Sequence, residues 1–371
     1  MIKVGITGQE GFMGSHLYNY FGTKEGLELI SYDICFFKKN KKLKDFVSKC
    51  DVIIHLAALN RHDEQQVLYN TNVELVKKLI DACETTNSKP KIIFSSSTQE
   101  ERDNLYGKSK RDGRKLLEDW AKKSGGKVAS FVIPNVFGPF GEPYYNSFIA
   151  TFCHQIVKGE MPTIHSDGEV NLIYINDLAE AFYQETIDNK KQIKTFLVPH
   201  NATKKVSEIL ILLNEYKVTY MDNGIVSDLS DPFELALFNT FTSFIPKDYF
   251  PRKSVKHSDY RGAFVEIMRA NTSGQSSYST TAPGITRGNH YHTRKVERFA
   301  VISGKACIQL RKINTDKIIN YELDGNEPAY VDMPIWYTHN ITNIGDTELI
   351  TMFWINEPYN PDDPDTYFVE V

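Results

Sequence analysis

Through the first half of the chain, short apolar runs alternate with stretches whose apolar residues recur at helical spacing. IKVGIT (2–7), LELISYD (27–33), DVIIHLAA (51–58), KIIFSSS (91–97) and VASFVIP (128–134) read as strands. Between them GSHLYNYF (14–21) opens a helix. QQVLYNTNVELVKKLIDACETT (65–86) is a second, with Val67, Leu68, Val73, Val76, Leu79 and Ile80 sharing the spacing. YGKSKRDGRKLLEDWAKKSGG (106–126) is a third, ended by Gly125 and Gly126. Strand, helix, strand, helix predicts a parallel sheet covered on both faces.

From about residue 205 the alternation weakens. DPFELALFNTFTSFI (231–245) predicts one more helix, with Asp231 as N-cap and Pro232 in its first turn. PKDYFPRKSVKHSDYRG (246–262) is polar and aperiodic, and reads as a linker. Beyond it come short alternating strands, GAFVEIMRA (262–270), FAVISG (299–304), ACIQLRKI (306–313), IINYELD (318–324) and ELITMFWI (348–355), separated by Asn, Asp and Gly turns. Strands without intervening helices predict an all-β barrel or sandwich. The acidic tail NEPYNPDDPDTYF (356–368) reads as an extended surface segment. The expected architecture is thus an α/β, Rossmann-like doubly wound parallel sheet over residues 1–250, followed by an all-β domain over 251–371. A length of 371 residues also favours two domains.

Composition narrows the partners. A net charge of −4 lacks the basic excess of a nucleic-acid binder. No apolar run approaches the ~20 residues that span a bilayer. MIKVGITGQEG at the start has no signal-peptide apolar stretch. The cysteines Cys35, Cys50, Cys83, Cys153 and Cys307 are scattered and odd in number, as expected of reduced core residues in a cytoplasmic protein.

Gly8, Gly11 and Gly14 follow the first strand and open a helix. Glycine allows the tight turn, the approach of backbone to a pyrophosphate and close helix–strand packing, and the helix N-terminus offers its N–H groups to phosphate. A glycine triplet alone also suits a plain turn; the second strand ending at Asp33, whose carboxylate can hold an adenosine ribose, adds context. Lys38, Lys39, Lys41 and Lys42 suit either a 2′-phosphate or a solvated face, so NAD and NADP both stay open on these residues. In YGKSK, Tyr106 and Lys110 stand at i and i+4 on one helix face. An ammonium beside a phenol favours the phenolate, so Lys110 is expected to lower the pKa of Tyr106 and ready it for proton transfer at a carbonyl or alcohol oxygen. One hydroxyl of the preceding FSSST, assigned to Ser97, would hydrogen-bond the same oxygen.

TGQEGFMGSHL, HLAA, NTNVELVKKL, FSSST, YGKSK, PNVFGP and YINDLAEAF occur in this order across residues 1 to about 245. That region resembles an extended short-chain dehydrogenase/reductase (SDR) of the nucleotide-sugar-modifying kind. The resemblance implies Ser97, Tyr106 and Lys110 as catalytic triad, Gly8, Gly11 and Gly14 as phosphate loop, and Asn135 at the nucleotide-sugar pocket. The interval between the serines and Tyr106 is shorter than in relatives, which leaves Ser96 as the alternative to Ser97.

A different chemistry stands in the C-terminal half. In HYHTRKVERFAVISG (290–304), His290 and His292 alternate and so share one face of a strand; Glu297 follows, and His339 lies in PIWYTHNITN. Three imidazoles and a carboxylate suit a divalent ion, zinc foremost, with nickel, iron and manganese as alternatives. The stretch resembles the cupin fold: 284–304 fits its first motif, and Pro334, His339 and Asn343 fit the second. Trp336 stands where glycine is usual, and Pro328 where the second motif would begin with glycine. This resemblance implies His290, His292, Glu297 and His339 as metal ligands, and Trp336 as one wall of the cavity. The two halves together resemble the bifunctional capsular-polysaccharide and O-antigen enzymes. That implies a UDP-linked 4-keto-6-deoxy-N-acetylhexosamine, epimerised at carbon 3 by the cupin, reduced at carbon 4 with NADPH, and leading towards N-acetyl-L-fucosamine. Tyr337 is a candidate base for the epimerisation. Analogy with both parent folds implies a homodimer. Two further readings are a reductase whose cupin is structural or dimerising, and an NADP-sensing protein; the retention of Tyr106 and Lys110 speaks against the sensor.

Overall fold

The computed structural model describes residues 1–188, 190, 193–259, 262–265, 268–270, 274–357 and 360–371. Parts of the expected linker (Tyr260, Arg261), first β-domain strand (Glu266, Ile267) and tail (Pro358, Tyr359) lie outside the described residues. Chain order begins β1 (Ile2–Thr7), α1 (Phe12–Gly22), β2 (Leu27–Ile30), α2 (Asn40–Lys49), β3 (Val52–His55), α3 (Gln65–Thr86) and β4 (Lys91–Ser97). It continues through α4 (Leu105–Ser124), β5 (Lys127–Ile133), β6 (Asn135–Phe137), α5 (Phe148–Val157), β7 (Glu169–Tyr174), α6 (Ile175–Ile187), β8 (Ile193–Leu197) and β9 (Ala202–Lys205). Then come α7 (Val206–Tyr216), β10 (Ile225–Val226), α8 (Pro232–Thr242), β11 (Arg252–Lys253), β12 (Lys256–Asp259), β13 (Gly262–Val265) and β14 (Arg269–Ala270). The last strands are β15 (Gln275–Thr281), β16 (Thr286–Tyr291), β17 (Glu297–Ser303), β18 (Lys305–Lys312), β19 (Ile318–Asp324), β20 (Ala329–Met333), β21 (Tyr337–Asn343), β22 (Leu349–Ile355) and β23 (Tyr367–Phe368).

The chain divides into two units, Met1–Phe148 with Asp167–Val206, and Ile149–Ser166 with Ser207–Val371. In the first unit, six strands form one parallel sheet in the order β2-β1-β3-β4-β5-β8. β3 is buried along its whole length, as strands of a doubly covered sheet are. On one face, Leu43, Phe46 and Val47 of α2, Val76 and Leu79 of α3 and Leu117 of α4 pack on Ile53 and Ile92. Right-handed crossovers put α1 on the opposite face, where it packs against α6. The strand order reverses between β1 and β3, and that is where an open α/β sheet offers its ligand crevice. The predicted helix at 65–86 has the bounds of α3, with Asn87 in the left-handed region just past its end (φ 53°).

The second unit contains two five-stranded sheets, β11-β20-β17-β22-β15 and β19-β18-β21-β16-β23, antiparallel throughout. Val301, Val331, Met333 and Leu349 of the first meet Ile308, Leu310 and Ile341 of the second in one apolar core. α8 takes the predicted cap: Asp231 Oδ1 accepts from Glu234 N at 2.9 Å. Residues 207–250 pack in this unit rather than the first. Tyr216 and Tyr220 both meet Phe238 edge to face, Tyr220 donates to the buried Asp332, and Arg298 pairs with Asp332 at 2.7 Å while donating to Gly224 O at 3.2 Å. Two expectations are corrected. The segment read as a linker carries β11 and β12, because Arg252–Lys253 extends the first sheet beyond β20. The tail is not a plain surface segment, since Asp365 is 2% exposed and β23 pairs with β16. β11 and the tail reach partners too remote in sequence to leave a local pattern, whereas β12 pairs with its neighbour β13.

Candidate active site and metal centre

β1 ends at Thr7, and the chain turns through Gly8 at φ +75°, a conformation glycine adopts without steric cost. A Cβ on Gly8 would stand 2.9 Å from Ala57 N, beyond β3, and one on Gly14 only 2.1 Å from Gly8 O. Gly11 caps α1 with no side-chain acceptor. The turn therefore presents bare backbone at the reversal in strand order, which fits a pyrophosphate. Asp33 is exposed and lies beyond the end of β2 at Ile30, not in it. Its carboxylate caps the short turn Ile34–Lys38 by accepting from Cys35 N at 2.7 Å. The Cys35 thiol and N–H, with Lys42 and Lys39 nearby, hold the Asp33 carboxyl below its ordinary value.

Ser97 closes β4, and its Oγ accepts from Gln99 N at 3.2 Å, leaving the O–H able to donate. Ser96 is buried and donates to Glu100, which is itself paired with Arg114 at 2.7 Å. Of the two serines, Ser97 is the one whose proton is uncommitted to Glu100. Asn104 Oδ1 accepts from Gly107 N at 2.7 Å and starts α4, which places Tyr106 in the first turn. Gly107 lies so close to the Ser97–Gln99 turn that a Cβ would come 1.9 Å from Gln99 O. That contact holds the serine turn against the start of α4. Lys110 is buried, donates from Nζ to Ser95 O at 3.0 Å, and stands 5.7 Å from the Tyr106 ring centroid. Burial pushes Lys110 down to about 8, with Glu100 acting against it. Burial, with Tyr145 adding to it, pushes Tyr106 up to about 12, opposite to the direction expected from the Lys110 charge. Desolvation of the phenolate is the larger effect. Asn135 is exposed on β6 and donates to Asn171 O at 3.3 Å.

In the second unit, the candidate ligand atoms of His290, His292, Glu297 and His339 lie within 4.8 Å of one another. A bulge after Gly288 sets this up. Asn289 takes φ 59°, the register shifts, and His290 comes to pair with His339 across β16 and β21. Nε2 of His292 and of His339 stand 3.2 and 3.0 Å from Glu297 Oε2. These three atoms are buried and have no hydrogen-bond partner outside the cluster among the described residues. Both Nδ1 atoms face backbone carbonyls, Asp365 O at 2.5 Å for His292 and Tyr337 O at 3.2 Å for His339. A carbonyl only accepts, so each Nδ1 carries the proton and each Nε2 turns its lone pair inward. Without a cation, burial opposes charge on Glu297, but protons on the Nε2 atoms of His292 and His339 would outweigh it and hold the carboxyl well below its usual range; a bound cation would take the place of those protons. His290 is pushed down to about 4 by burial and then by His339 and His292. Inward lone pairs and an anionic carboxylate, all without other partners, fit a divalent cation.

Trp336 is 1% exposed, stacks on Tyr291 at 5.6 Å and donates its backbone N–H to His292 O at 2.9 Å. Its φ of +61° explains the glycine usual at this position. Tyr337 is half-buried two residues before His339 on β21, so the two share a face. Sequence reading missed Gly107, Glu100, Asn289 and Asp365. Only the Gly–Asn pair at 288–289 carried a local signal for its role, a turn-type dipeptide inside a strand pattern. The five cysteines are all unpaired; Cys50, Cys83 and Cys153 are buried as expected, whereas Cys35 and Cys307 are half-buried. No helix among the described residues is long and apolar enough to cross a membrane.

Residues 4–195 match the NAD dependent epimerase/dehydratase family, and residues 257–367 match the polysaccharide biosynthesis C-terminal domain. The UDP-2-acetamido-2,6-beta-L-arabino-hexul-4-ose reductase of Pseudomonas aeruginosa is 33% identical over 371 residues, 100% of this chain and 99% of its own. The crystal structure of the capsular polysaccharide assembling protein CapF from Staphylococcus aureus is similar at 34% identity and TM-score 0.63, covering 100% of both chains. The spore coat polysaccharide biosynthesis protein SpsL of Bacillus subtilis is 30% identical over 124 residues, 31% of this chain and 82% of its own.

Proposed function

We propose, for a chain that belongs to the NAD dependent epimerase/dehydratase family, that it is a bifunctional nucleotide-sugar enzyme of capsule or O-antigen polysaccharide assembly. The substrate is a UDP-linked 4-keto-6-deoxy-N-acetylhexosamine. Residues 251–371, folded as a metal-binding cupin barrel, epimerise carbon 3. Residues 1–250 then reduce the carbon 4 ketone with NADPH, on the route to UDP-N-acetyl-L-fucosamine. The functional division near residue 250 falls between the two family matches. By analogy with both parent folds, the assembly is a homodimer. One observation carries the reading: a single chain holds two chemical centres, Tyr106, Lys110 and Ser97 in one unit and the three-histidine, one-glutamate cluster in the other. The Pseudomonas relative, named for a UDP-linked hexul-4-ose, supports it by matching from end to end.

Reduction asks for a proton donor. With its pKa raised, Tyr106 is protonated at working pH and donates to the carbon 4 oxygen as charge develops there, while the Ser97 hydroxyl donates to the same oxygen. The charge of Lys110 eases the departure of that proton. NADPH, held by the Gly8–Gly11–Gly14 turn, supplies the hydride when bound. For epimerisation, the 4-ketone acidifies the hydrogen on carbon 3, and a proton removed from one face and returned to the other inverts the centre. A divalent ion held by His290, His292, Glu297 and His339 supplies positive charge at a sugar oxygen when bound. Reduction afterwards removes that acidity and locks the new configuration.

A second reading, reductase alone with a metal-stapled cupin, is favoured by the burial of His292, Glu297 and His339, since closed sites are commonly structural. Incubation with a UDP-4-keto-6-deoxy-HexNAc in deuterated water without NADPH separates the two. We expect enzyme-dependent loss of the carbon 3 proton signal that survives Tyr106→Phe and is abolished by His339→Ala. No exchange, with NADPH still consumed on the same sugar, would leave the second reading.

A further inference from the structure

Asp365 is 2% exposed and lies 72 residues from Thr293 in sequence, yet its carboxylate accepts from the three successive backbone N–H groups just past His292. Oδ1 accepts from Thr293 N at 3.1 Å and from Thr293 Oγ1 at 2.6 Å. Oδ2 accepts from Thr293 N at 3.2 Å, Arg294 N at 3.0 Å and Lys295 N at 3.2 Å. Successive N–H groups converging on one carboxylate form an anion nest, and this nest is the link between His292 and Glu297. The backbone carbonyl of the same residue accepts from His292 Nδ1 at 2.5 Å. Flanking contacts fasten the segment further: Lys295 Nζ donates to Pro364 O at 2.7 Å, and Arg294 pairs with Asp363 at 2.8 Å.

Beyond Asp365 the tail reaches the other strand of the cluster. β23 pairs with β16 through His290↔Phe368 and Tyr291↔Tyr367, and Val369 N donates to Asn289 O, in the bulge, at 2.9 Å. Tyr367 stacks on Tyr291 at 5.3 Å, and Phe368 meets His290 edge to face at 6.1 Å. A strand that merely finished a sheet edge would need neither the buried carboxylate nor its carbonyl on an imidazole. We propose that residues 360–371 form a built-in clamp for the metal centre, with Asp365 as the positioning residue that fixes the tautomer of His292 and the path from His292 to Glu297.

The proposal rests on the metal-binding reading above. Partners that orient a metal-ligating histidine contribute about 10–100-fold in metal affinity. In the full-length chain, Asp365→Ala should therefore weaken zinc binding by about that factor, measured by competition with a chromophoric chelator. It should also alter the visible spectrum of the cobalt(II)-substituted protein. Asp365→Asn keeps one acceptor oxygen and a residue tolerant of φ 44°, so its loss should be intermediate. Zinc affinity within twofold of the unaltered chain and an unchanged cobalt spectrum, even with a lower melting temperature, would make Asp365 a structural tie and overturn the proposal. If the unaltered chain takes up neither zinc nor cobalt, the metal reading itself fails and the clamp with it, an outcome distinct from the preceding one.

Discussion

Gly107 and Gly22 are both helical glycines of the first unit, and their surroundings give opposite expectations for alanine. Nothing lies within 4 Å of a Cβ on Gly22, so Gly22→Ala should stabilise by about 0.5–1 kcal/mol through helix propensity. A Cβ on Gly107 would meet backbone at 1.9 Å, so Gly107→Ala should cost about 1–3 kcal/mol and lower kcat for ketone reduction by displacing the Ser97 turn from Tyr106. Urea midpoints of the two variants check the sign. Lys110 makes a pH-dependent prediction. Its folded value, about 8, lies below the ordinary lysine value of 10.5, so between them the folded state binds fewer protons and stability rises with pH; the burial cost is fully present below about 8. Lys110→Met should flatten that rise in urea titrations between pH 8 and 10. For the proposed ketone reduction, kcat/KM reports the free enzyme and should fall as pH rises through about 8, where Lys110 loses the charge proposed to assist Tyr106. A profile level to pH 10 would remove Lys110 from that role. Trp336 at φ +61° carries strain on the order of 1–2 kcal/mol, tolerated because the ring is buried on Tyr291 and the backbone N–H holds His292 O.

At the scale of elements, the bulge in β16 decides whether His290 belongs to the cluster. Counting faces from Thr286, which pairs with Thr342, an unbroken ladder would set residue 290 opposite Thr338, on the other face from His339. One extra residue, Asn289, switches the face. Under the proposed metal-binding reading, Asn289→Gly preserves the left-handed conformation and should retain the zinc that the unaltered chain takes up, whereas Asn289→Val, β-branched at φ 59°, should lose it on dialysis. Equal zinc content in the two variants would mean that the bulge does not position His290. The same scale explains which elements were legible. α3, α4 and α8 carry their own periodicity and end signals: Asn87, Gly125 and the Asp231–Pro232 cap. β2 ends short of Asp33 because that carboxylate caps a turn, a competition an apolar run does not reveal.

Over the whole molecule, sequence patterns picked out the parallel α/β region, the later run of strands without helices, the glycine turn, the Tyr106–Lys110 pair and the four residues of the His/Glu cluster. All but His339 are short-range signals, because periodicity, a turn dipeptide and an i, i+4 pair are written within a few residues of one another, whereas His339 entered the set through a second, separate motif. Tertiary structure decided the rest. It packed residues 207–250 with the second unit, committed Ser96 to Glu100 and so distinguished Ser97, and brought Asp365 onto His292 across 73 residues. It also reversed the expected shift on Tyr106. A neighbouring lysine is visible in the sequence, but the low-dielectric surroundings that disfavour a phenolate come from side chains the fold gathers from elsewhere. Which groups are present is a property of the chain. Which of them are dry, committed or facing one another depends on long-range packing, to which no local pattern gives access.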